Sequence, residues 1–320
     1  MIMWLTRSEE KTDERFGKRP EERTIEESIP FSVVIVDKHS GPTSAQITQW
    51  TKEIFGVNKA GHTGTLDPAV TGVLPIALGH SVKAMPLLVG LEKEYVGVMH
   101  IHKDVDANFL KETAVKFIGK IKQLVPKRAA VARRVREREI FYFDIVEIED
   151  KDVLFKVGVE AGTYIRKLVH DLGQSLGTGA HMSELRRTKV GNFEEKKSFS
   201  LVEVKDAYEF WKQGDEKPLK KILIPIEHAV ENSKKIFVKD SAVEAICNGS
   251  PIYPIGVTRV QESLIAGEDV GIFTLKGELV AIGIAKMDAE KMVKAKRGIA
   301  VRTDRVIMQK GIYPRSWKED

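Results

Sequence analysis

The sequence predicts an α+β fold divided between two domains, and three observations carry this prediction. The chain has 320 residues, 42% of them hydrophobic and 30% charged, which is enough to bury a core in each of two domains. Strand-like apolar runs alternate with helical periodicity through the first two thirds of the chain. After Pro218 and Pro225 the segments become short, with glycine and proline between them, which is typical of a small β-rich barrel.

The first predicted elements follow a charged stretch. Residues 1–30 are dense in both charges, with few apolar side chains between Ser8 and Glu27, so we expect an extended or weakly ordered extension there. Residues 31–36 then predict a strand. Ser44 is predicted to cap the following helix, which should end near Gly56.

A later strand and helix surround a position that resembles a functional site. Residues 153–160 carry apolar side chains on one face and predict a strand, after which a Gly-Thr pair can turn the chain and cap a helix. Residues 165–176 repeat apolar side chains at helical spacing. Arg166 lies in the first turn of that helix, off the apolar stripe, and should therefore point towards the junction between strand and helix.

The C-terminal part predicts short strands at residues 235–238, 271–275 and 279–285, and a helix at 241–248. The domain boundary should fall near Asn232. The predicted division is a charged extension at 1–30, a first domain at 31–232, a second domain at 233–312 and a tail at 313–320.

The charge distribution favours a nucleic-acid partner more than the net charge does. The 51 basic residues exceed the 46 acidic ones by five. Basic residues gather in three clusters, which could also be solvated helix faces. Because the clusters lie in separate domains, binding of phosphate backbones is favoured. The clusters are Lys122, Lys127, Arg128, Arg133, Arg134, Arg136 and Arg138; the basic residues between Lys286 and Arg297; and Arg302, Arg305, Lys310, Arg315 and Lys318.

Several classes of protein are excluded. The single cysteine, Cys247, allows neither an internal disulfide nor a thiol-based zinc site, and is predicted to be a small buried residue. The glycine-rich segments lack the patterns of nucleotide-binding loops. His100 and His102 share a strand face without a nearby third ligand, so we expect surface or groove histidines and no metal site. Apolar runs too short to span a bilayer favour a cytoplasmic protein without a membrane partner.

Glycine and proline are concentrated in residues 61–72, GHTGTLDPAVTG. Three glycines and a proline there constrain a loop that carries His62 and Asp67. One interpretation is a plain Asp-Pro turn, in which Asp67 bonds nearby main-chain amides. The other is a loop that positions a reactive carboxylate.

This loop resembles the catalytic motif of the TruB family of pseudouridine synthases. Further stretches match in the same order: KHSGPTS at 38–44, KEY at 93–95, GTYIR at 162–166 and LRR at 185–187. Within the family the chain is most similar to dyskerin and its archaeal counterparts, the catalytic subunits of box H/ACA guide-RNA particles. The resemblance implies a mixed, mainly antiparallel sheet with flanking helices, followed by a small, barrel-like PUA domain.

The resemblance also implies roles for individual residues. Asp67 is the expected catalytic group, as a nucleophile on the sugar or base or as an aid to elimination, in a reaction that needs no cofactor. A carboxylate that stays ionised in a pocket excluding water needs an adjacent cation, and Arg166 is the candidate. Tyr95 is expected to stack on the base near the proton exchanged at C5. His62, Tyr164 and Leu185 are expected to bind the flipped uridine, although Leu185 could equally be a core side chain.

One departure from the stand-alone bacterial tRNA enzymes bears on specificity. Between His102 and Lys111 the chain lacks the insertion with which those enzymes grip their substrate. The resemblance therefore implies a box H/ACA guide RNA, a substrate RNA (ribosomal, with transfer RNA as a further candidate) and small particle proteins: a small Nop-type protein, a homologue of the Gly-Arg-rich protein and a kink-turn-binding ribosomal-type protein. The alternatives are a protein-only tRNA pseudouridine synthase and a non-catalytic RNA-binding scaffold.

Overall fold

The computed structural model describes residues 3–125 and 134–315, and these form sixteen strands and ten α-helices. The strands are β1 (Trp4–Thr6), β2 (Ser32–Lys38), β3 (Ala60–His62), β4 (Thr71–Leu78), β5 (Lys93–Ile101), β6 (Gly119–Leu124), β7 (Val135–Glu149), β8 (Asp152–Val159), β9 (Ala180–Val190), β10 (Phe193–Glu194), β11 (Ile224–Pro225), β12 (Lys235–Val238), β13 (Val257–Gln261), β14 (Asp269–Phe273), β15 (Leu279–Ala285) and β16 (Val301–Val306). The helices are α1 (Ile25–Ser28), α2 (Ser44–Phe55), α3 (Met85–Val89), α4 (Ala107–Val115), α5 (Ile165–Ser175), α6 (Leu201–Lys212), α7 (Lys217–Ile222), α8 (Ile226–Ala229), α9 (Asp240–Cys247) and α10 (Ala289–Lys294).

The strands form two sheets. The ten-stranded sheet has the order β11-β2-β4-β9-β5-β8-β7-β6, with β10 beside β9 and β3 beside β4. Its strands pair antiparallel except for β4 and β9, which pair in parallel through Thr71 with Arg186 and Gly72 with Arg187. The six-stranded sheet has the order β1-β13-β12-β14-β15-β16. The prediction of a mixed, mainly antiparallel sheet followed by a small β-rich domain is therefore confirmed.

Local sequence explains most element boundaries. Gly56 ends α2 with φ at 62°, a left-handed conformation that glycine adopts at little cost. The strands predicted at 235–238 and 279–285 are β12 and β15. One predicted cap is wrong: Thr43, one residue before Ser44, caps α2 and accepts a hydrogen bond from the Gln46 amide.

The second cap differs as well. Tyr164 precedes α5 without a capping side chain, and the Thr163 hydroxyl instead donates to the Glu160 carbonyl at 2.8 Å. Gly162, with φ at 83°, makes the predicted turn.

The N-terminal extension is ordered, so the expectation of a weakly ordered segment is wrong for its described residues. β1 adds to the edge of β13 in the second sheet. Arg7 donates to the carbonyls of Met292 and Val293 at 3.0 and 2.6 Å. Thr12 and the Asp13 amide both donate to Asp240 at 2.9 Å. The polar side chains that suggested disorder make specific bonds to a domain more than 200 residues away in sequence.

Shared apolar packing joins the two sheets. One core cluster contains Val33 and Ile35 of the first sheet together with Phe273, Leu279 and Ile282 of the second. This cluster contains buried residues from both sides of Asn232 and does not mark a domain boundary there. The predicted boundary therefore stays a prediction.

A buried ion pair lies at the same junction. Arg23 of the extension donates to both Glu227 oxygens at 2.9 and 3.1 Å, and Glu227 also accepts from the Leu279 amide at 3.1 Å.

Cys247 is buried, as predicted. None of the helices formed by the described residues has the length and apolar character needed to cross a bilayer. The cytoplasmic location stays a prediction.

Candidate active site

Asp67 and Arg166, predicted as partners, meet in an ion pair. Arg166 donates to Oδ2 of Asp67 from the first turn of α5. The turn that follows Asp67 is closed by its main-chain carbonyl, which accepts from the Val70 amide at 3.0 Å. Among the described residues, the carboxylate is therefore directed to an arginine and not to the amides of a plain Asp-Pro turn.

This ion pair is open to solvent. The Asp67 side chain is 56% exposed and that of Arg166 is 67% exposed. The expectation of a pocket that excludes water is wrong for the chain by itself. Exposed ion pairs contribute little to folding stability, so stability does not explain why this pair is present.

Lys38 holds the loop from behind. Its Nζ donates to the carbonyls of Pro68 and Val70, at 2.9 and 2.8 Å, and to that of His39 at 3.0 Å. The side chain lies at the end of β2 and is fully buried. Burial lowers the pKa of Lys38, the negative charge of Asp67 opposes this change, and the positive charge of Arg187 adds to it.

Ser44 holds the residue that precedes Asp67. Its hydroxyl donates to the Leu66 carbonyl at 3.1 Å and accepts from the Leu66 amide at 2.8 Å. The hydroxyl is buried, so both main-chain groups of Leu66 depend on it. The serine predicted as a helix cap instead fixes the loop that carries Asp67.

Arg187 binds both ends of the loop. Its Nε donates to the Val73 carbonyl at 2.8 Å, and its Nη2 donates to the Gly64 carbonyl at 3.1 Å. Beside it, Gly72 has φ at 103°, and a Cβ atom added there would lie 2.2 Å from the Arg187 carbonyl oxygen. Glycine is therefore required where β4 and β9 meet.

Tyr95 and Lys93 lie on the buried face of β5. Tyr95 is the register partner of Arg187, whose guanidinium donates a hydrogen bond to the Tyr95 hydroxyl. Lys93 donates to the carbonyls of Val89 and Leu91, at 2.9 and 2.5 Å. Burial, reinforced by the charge of Arg187, lowers the pKa of Lys93 to about 8.

Leu185 is half-buried beside Tyr95. It lies opposite Gly97 on β5, and its Cδ1 occupies the space that a Cβ of residue 97 would need. It packs against a core cluster that includes Leu66, Tyr95 and Ile165. Leu66 precedes Asp67 in the sequence, and Ile165 precedes Arg166. Packing in this cluster therefore holds the two members of the ion pair close to Tyr95 and Leu185.

Tyr164 and His62 flank this arrangement. Tyr164 is half-buried, and its amide and carbonyl are held by the buried Gln123 side chain at 3.0 and 3.2 Å. His62 lies on β3, and burial, followed by the positive charge of Arg187, lowers the pKa of its imidazole. Its buried Nδ1 has no hydrogen-bond partner within the described part of the chain. The binding roles of both residues stay predictions.

Sequence reasoning matched the motifs that contain Lys38, Ser44, Lys93 and Arg187 but assigned them no role in the site. A signal existed for Lys93, because it has the same strand phase as Tyr95 and Met99 and must point inwards. For Arg187 the sequence offered no such signal, since Arg186 beside it is an identical side chain.

The histidines at the other end of β5 make local bonds. His100 Nδ1 lies 2.7 Å from Asp152 Oδ1, and His102 Nε2 lies 3.0 Å from His181 Nδ1. Residues 3–125 and 134–315 contain no cluster of three or more histidine, cysteine or acidic side chains that could hold a metal ion.

Four family models match consecutive parts of the chain. The N-terminal domain of TruB family pseudouridylate synthases matches residues 52–165, and the C-terminal domain of tRNA pseudouridylate synthase B matches residues 166–231. A PUA domain matches residues 234–307, and a DKCLD (NUC011) domain matches residues 3–48. The fold and these matches define a pseudouridine synthase, an enzyme that isomerises uridine in RNA.

Curated relatives match along almost the whole chain. A probable tRNA pseudouridine synthase B of Methanopyrus kandleri is 52% identical over 98% of this chain and 93% of its own length. The protein of the same name from Methanocaldococcus jannaschii is 46% identical over 98% of this chain and 94% of its own length. The chain belongs to the TruB family of pseudouridine synthases, and it carries PUA and DKCLD domains.

Solved structures resemble the whole fold. A chain of a Cbf5-Nop10-Gar1 complex has a TM-score of 0.93 at 44% identity, with 98% of this chain and 96% of that chain covered. A chain of an H/ACA RNP bound to a substrate RNA containing 2′-deoxyuridine has a TM-score of 0.92 at 42% identity, with 99% and 98% covered. The chain is thus similar to the dyskerin-like branch expected from its motifs.

Proposed function

We propose that this pseudouridine synthase is the catalytic subunit of a box H/ACA guide-RNA particle. Its substrate is uridine in ribosomal RNA, with transfer RNA as a further candidate. The observation that supports this most is the similarity of nearly the entire chain, including the ordered N-terminal extension and the PUA domain, to solved H/ACA proteins.

The exposed pair of Asp67 and Arg166 supplies the chemistry. The reaction breaks the bond between ribose C1′ and uracil N1 and forms one from C1′ to C5, without redox change. Asp67 acts as the catalytic carboxylate, and Arg166 orients it through the hydrogen bond from its guanidinium to Oδ2. Tyr95 contacts the base, while His62, Tyr164 and Leu185 line the place of the flipped uridine.

Substrate RNA completes the pocket. Because the pair is more than half exposed in the chain itself, a flipped nucleotide lying over it would displace water from both groups. Lower local polarity strengthens the interaction of Arg166 with Asp67 and with charge that develops on the sugar. The cost of flipping, a few kcal/mol, is offset by stacking in the pocket.

The distribution of positive charge supports binding of a guide RNA to the PUA domain. The side chains of Lys286, Lys291, Lys294, Lys296 and Arg297 are exposed, and so are those of Arg302, Arg305, Lys310 and Arg315. In the predicted clusters, Lys127, Arg128, Arg133 and Lys318 lie outside the described residues. Phosphate contacts position RNA but do not read its sequence, so base pairing with the guide would choose the target.

The connection from β5 to α4 supports the same conclusion. It is only five residues long, 102–106, and ends at Asp106, which caps α4 by accepting from the amides of Asn108 and Phe109. No substrate-gripping insertion is present in this described segment. We further propose the three partner types implied by the resemblance: a small Nop-type protein, a Gly-Arg-rich-protein homologue and a kink-turn-binding ribosomal-type protein.

The test compares turnover of one target RNA with a matched guide, a mismatched guide and no guide, in the presence of the three partner proteins. We expect fast modification only with the matched guide, and a shift of the modified uridine when the pairing segments are changed. Equal rates in all three arms would reject guide dependence.

A second candidate is a protein-only tRNA pseudouridine synthase, which the names of the curated relatives favour. It predicts full turnover on a folded tRNA arm without guide or partner proteins. A non-catalytic scaffold is disfavoured, because binding alone does not require the ion pair of Asp67 and Arg166.

A further inference from the structure

Arg187 is buried in an unusual way for an arginine. Its residue exposure is 1%, and it heads the set of largest fully buried side chains among the described residues. Its neighbour Arg186 bonds two carboxylates, Asp37 at 2.9 and 3.0 Å and Glu195 at 2.5 Å. Arg187 has no carboxylate within ion-pair distance in residues 3–125 and 134–315. A buried charge without a counter-ion is costly, so its position requires a compensating role.

The charged groups around Arg187 increase this cost. The positive charge of Arg187 acts on Lys38, His62 and Lys93, and lowers the pKa of each. Positive potential therefore accumulates behind the catalytic loop. Any negative charge that forms on a neighbouring atom is stabilised there.

The Tyr95 hydroxyl is a side-chain hydrogen-bond acceptor beside the Arg187 guanidinium. Arg187 uses Nε for the Val73 carbonyl and Nη2 for the Gly64 carbonyl, and it also donates to the Tyr95 hydroxyl. A phenol oxygen that accepts from a guanidinium keeps its own proton free for transfer to another acceptor. The same guanidinium thus fixes Tyr95 relative to both ends of the Asp67 loop.

We infer that Arg187 is a positioning residue that acts through Tyr95: it holds the Tyr95 oxygen where that oxygen takes the proton from C5 of the rotated base. In this step the C5–H bond breaks and its electron pair forms the C5–C6 double bond, while the π pair of the C6–N1 double bond moves onto N1. The proton from C5 passes to the Tyr95 oxygen as the phenol gives its own proton to water, and N1 takes a proton from water. This inference rests on the role proposed for Tyr95.

The test measures turnover of RNA with protium or deuterium at C5 of the target uridine, using any RNA that supports wild-type turnover. We expect Arg187→Met to reduce turnover on the order of 10²-fold, as for loss of an electrostatic donor. The hydrogen isotope effect should rise above the wild-type value, because proton removal becomes the slow step. Arg186→Met is the matched control and should leave the isotope effect unchanged.

Arg187→Lys provides the second variant, since it keeps the charge but replaces the planar guanidinium, whose separate nitrogens reach Val73, Gly64 and Tyr95, with a single nitrogen. We expect it to fold and to show an isotope effect between those of the wild type and Arg187→Met. If Arg187→Met does not fold, a raised isotope effect in Arg187→Lys carries the test. A folded Arg187 variant with reduced turnover and a wild-type isotope effect would overturn the inference.

Tyr95→Phe separates this inference from the proposed function. Wild-type turnover in Tyr95→Phe would remove the role of Tyr95 and the inference with it. Impaired turnover in Tyr95→Phe, together with an unchanged isotope effect in the Arg187 variants, would reject the role of Arg187 alone. In the double variant, Tyr95→Phe with Arg187→Met, we expect a loss well below the product of the single losses, because both changes affect one step.

Discussion

The front and the back of the Asp67 loop differ in exposure and in bonding partner. At the front, Asp67 and Arg166 bond each other and are more than half exposed. At the back, Lys38, Lys93 and Arg187 are buried and donate to main-chain carbonyls. The groups proposed to touch substrate are therefore left to the RNA to cover, whereas the groups that shape the loop are enclosed by the chain itself.

This difference separates two kinds of contribution. Removing an exposed charge leaves no buried group unpaired, so stability should hardly change while activity falls. Removing a buried donor leaves carbonyls without partners, which costs about 1–3 kcal/mol for each buried group. Substitutions at the front should thus affect turnover alone, and substitutions at the back should affect turnover and stability together.

The largest effect is expected for Asp67→Asn, at the front. The change keeps the side-chain volume but removes the charge, so we expect turnover to fall on the order of 10⁴-fold or more, with RNA affinity and thermal stability nearly unchanged. Asp171→Asn, which removes a carboxylate from the ion pair with Lys167 on α5, is the control and should retain activity. Turnover of Asp67→Asn within about 10²-fold of the wild type, assayed under single-turnover conditions, would contradict the catalytic role.

Arg166→Lys tests whether the front needs a guanidinium or only a positive charge. A lysine cannot reproduce a planar contact to a carboxylate, and we expect turnover to fall on the order of 10²-fold without loss of stability. Lys167→Arg, one residue along the same helix, is the matched control. Near-normal turnover in Arg166→Lys would mean that the arginine geometry is not required.

Ser44→Ala tests the back of the loop with a smaller expected effect. Both main-chain groups of Leu66 lose their partner, so we expect the free energy of unfolding to fall by about 2 kcal/mol and turnover to fall as the loop loosens. Thr43→Ala, which removes the cap of α2, should cost about 1 kcal/mol and leave the turnover of the folded enzyme intact. Equal turnover in the two variants would show that Ser44 supports only the fold.

Sequence predicted those parts of the fold whose cause is local. Short runs rich in apolar residues fix the strands β12 and β15 at the predicted residues, and Gly56 ends α2 where a left-handed residue is needed. β1 escaped prediction because its three residues, Trp4–Thr6, are too few to show a strand pattern, and they pair with Arg259–Gln261, about 250 residues further along.

The site, like the fold, was predicted from sequence only where the cause is local. Glycine and proline punctuation identified the loop of Asp67, and helical spacing placed Arg166 at the junction it occupies. Arg186 and Arg187 are adjacent and chemically identical, yet among the described residues Arg186 pairs with two carboxylates and Arg187 with carbonyls and a tyrosine. Thr43 and Ser44 pose the same problem, since either hydroxyl could cap α2.

The smallest expected effect is a change in how stability depends on pH, and it concerns Lys93 at the back. In the folded chain burial lowers the pKa of Lys93 to about 8, from its usual value of 10.5. Between these values the unfolded chain binds a proton that the folded chain has released. The free energy of unfolding therefore rises with pH across this window.

Lys93→Met removes this dependence, because methionine has a similar shape and no charge. We expect the wild type to gain about 2 kcal/mol over the variant between pH 7 and pH 10, measured by denaturant unfolding at each pH. Unpaired carbonyls of Val89 and Leu91 should lower the free energy of unfolding of the variant by the same amount at every pH. The test is therefore the slope of the free energy of unfolding against pH. Lys205→Met, at an exposed position on α6, should keep the wild-type slope. Parallel pH curves for the wild type and Lys93→Met would mean that Lys93 keeps its ordinary proton affinity in the folded chain. Burial at the back of the loop would then not shift the pKa of the lysine that it encloses.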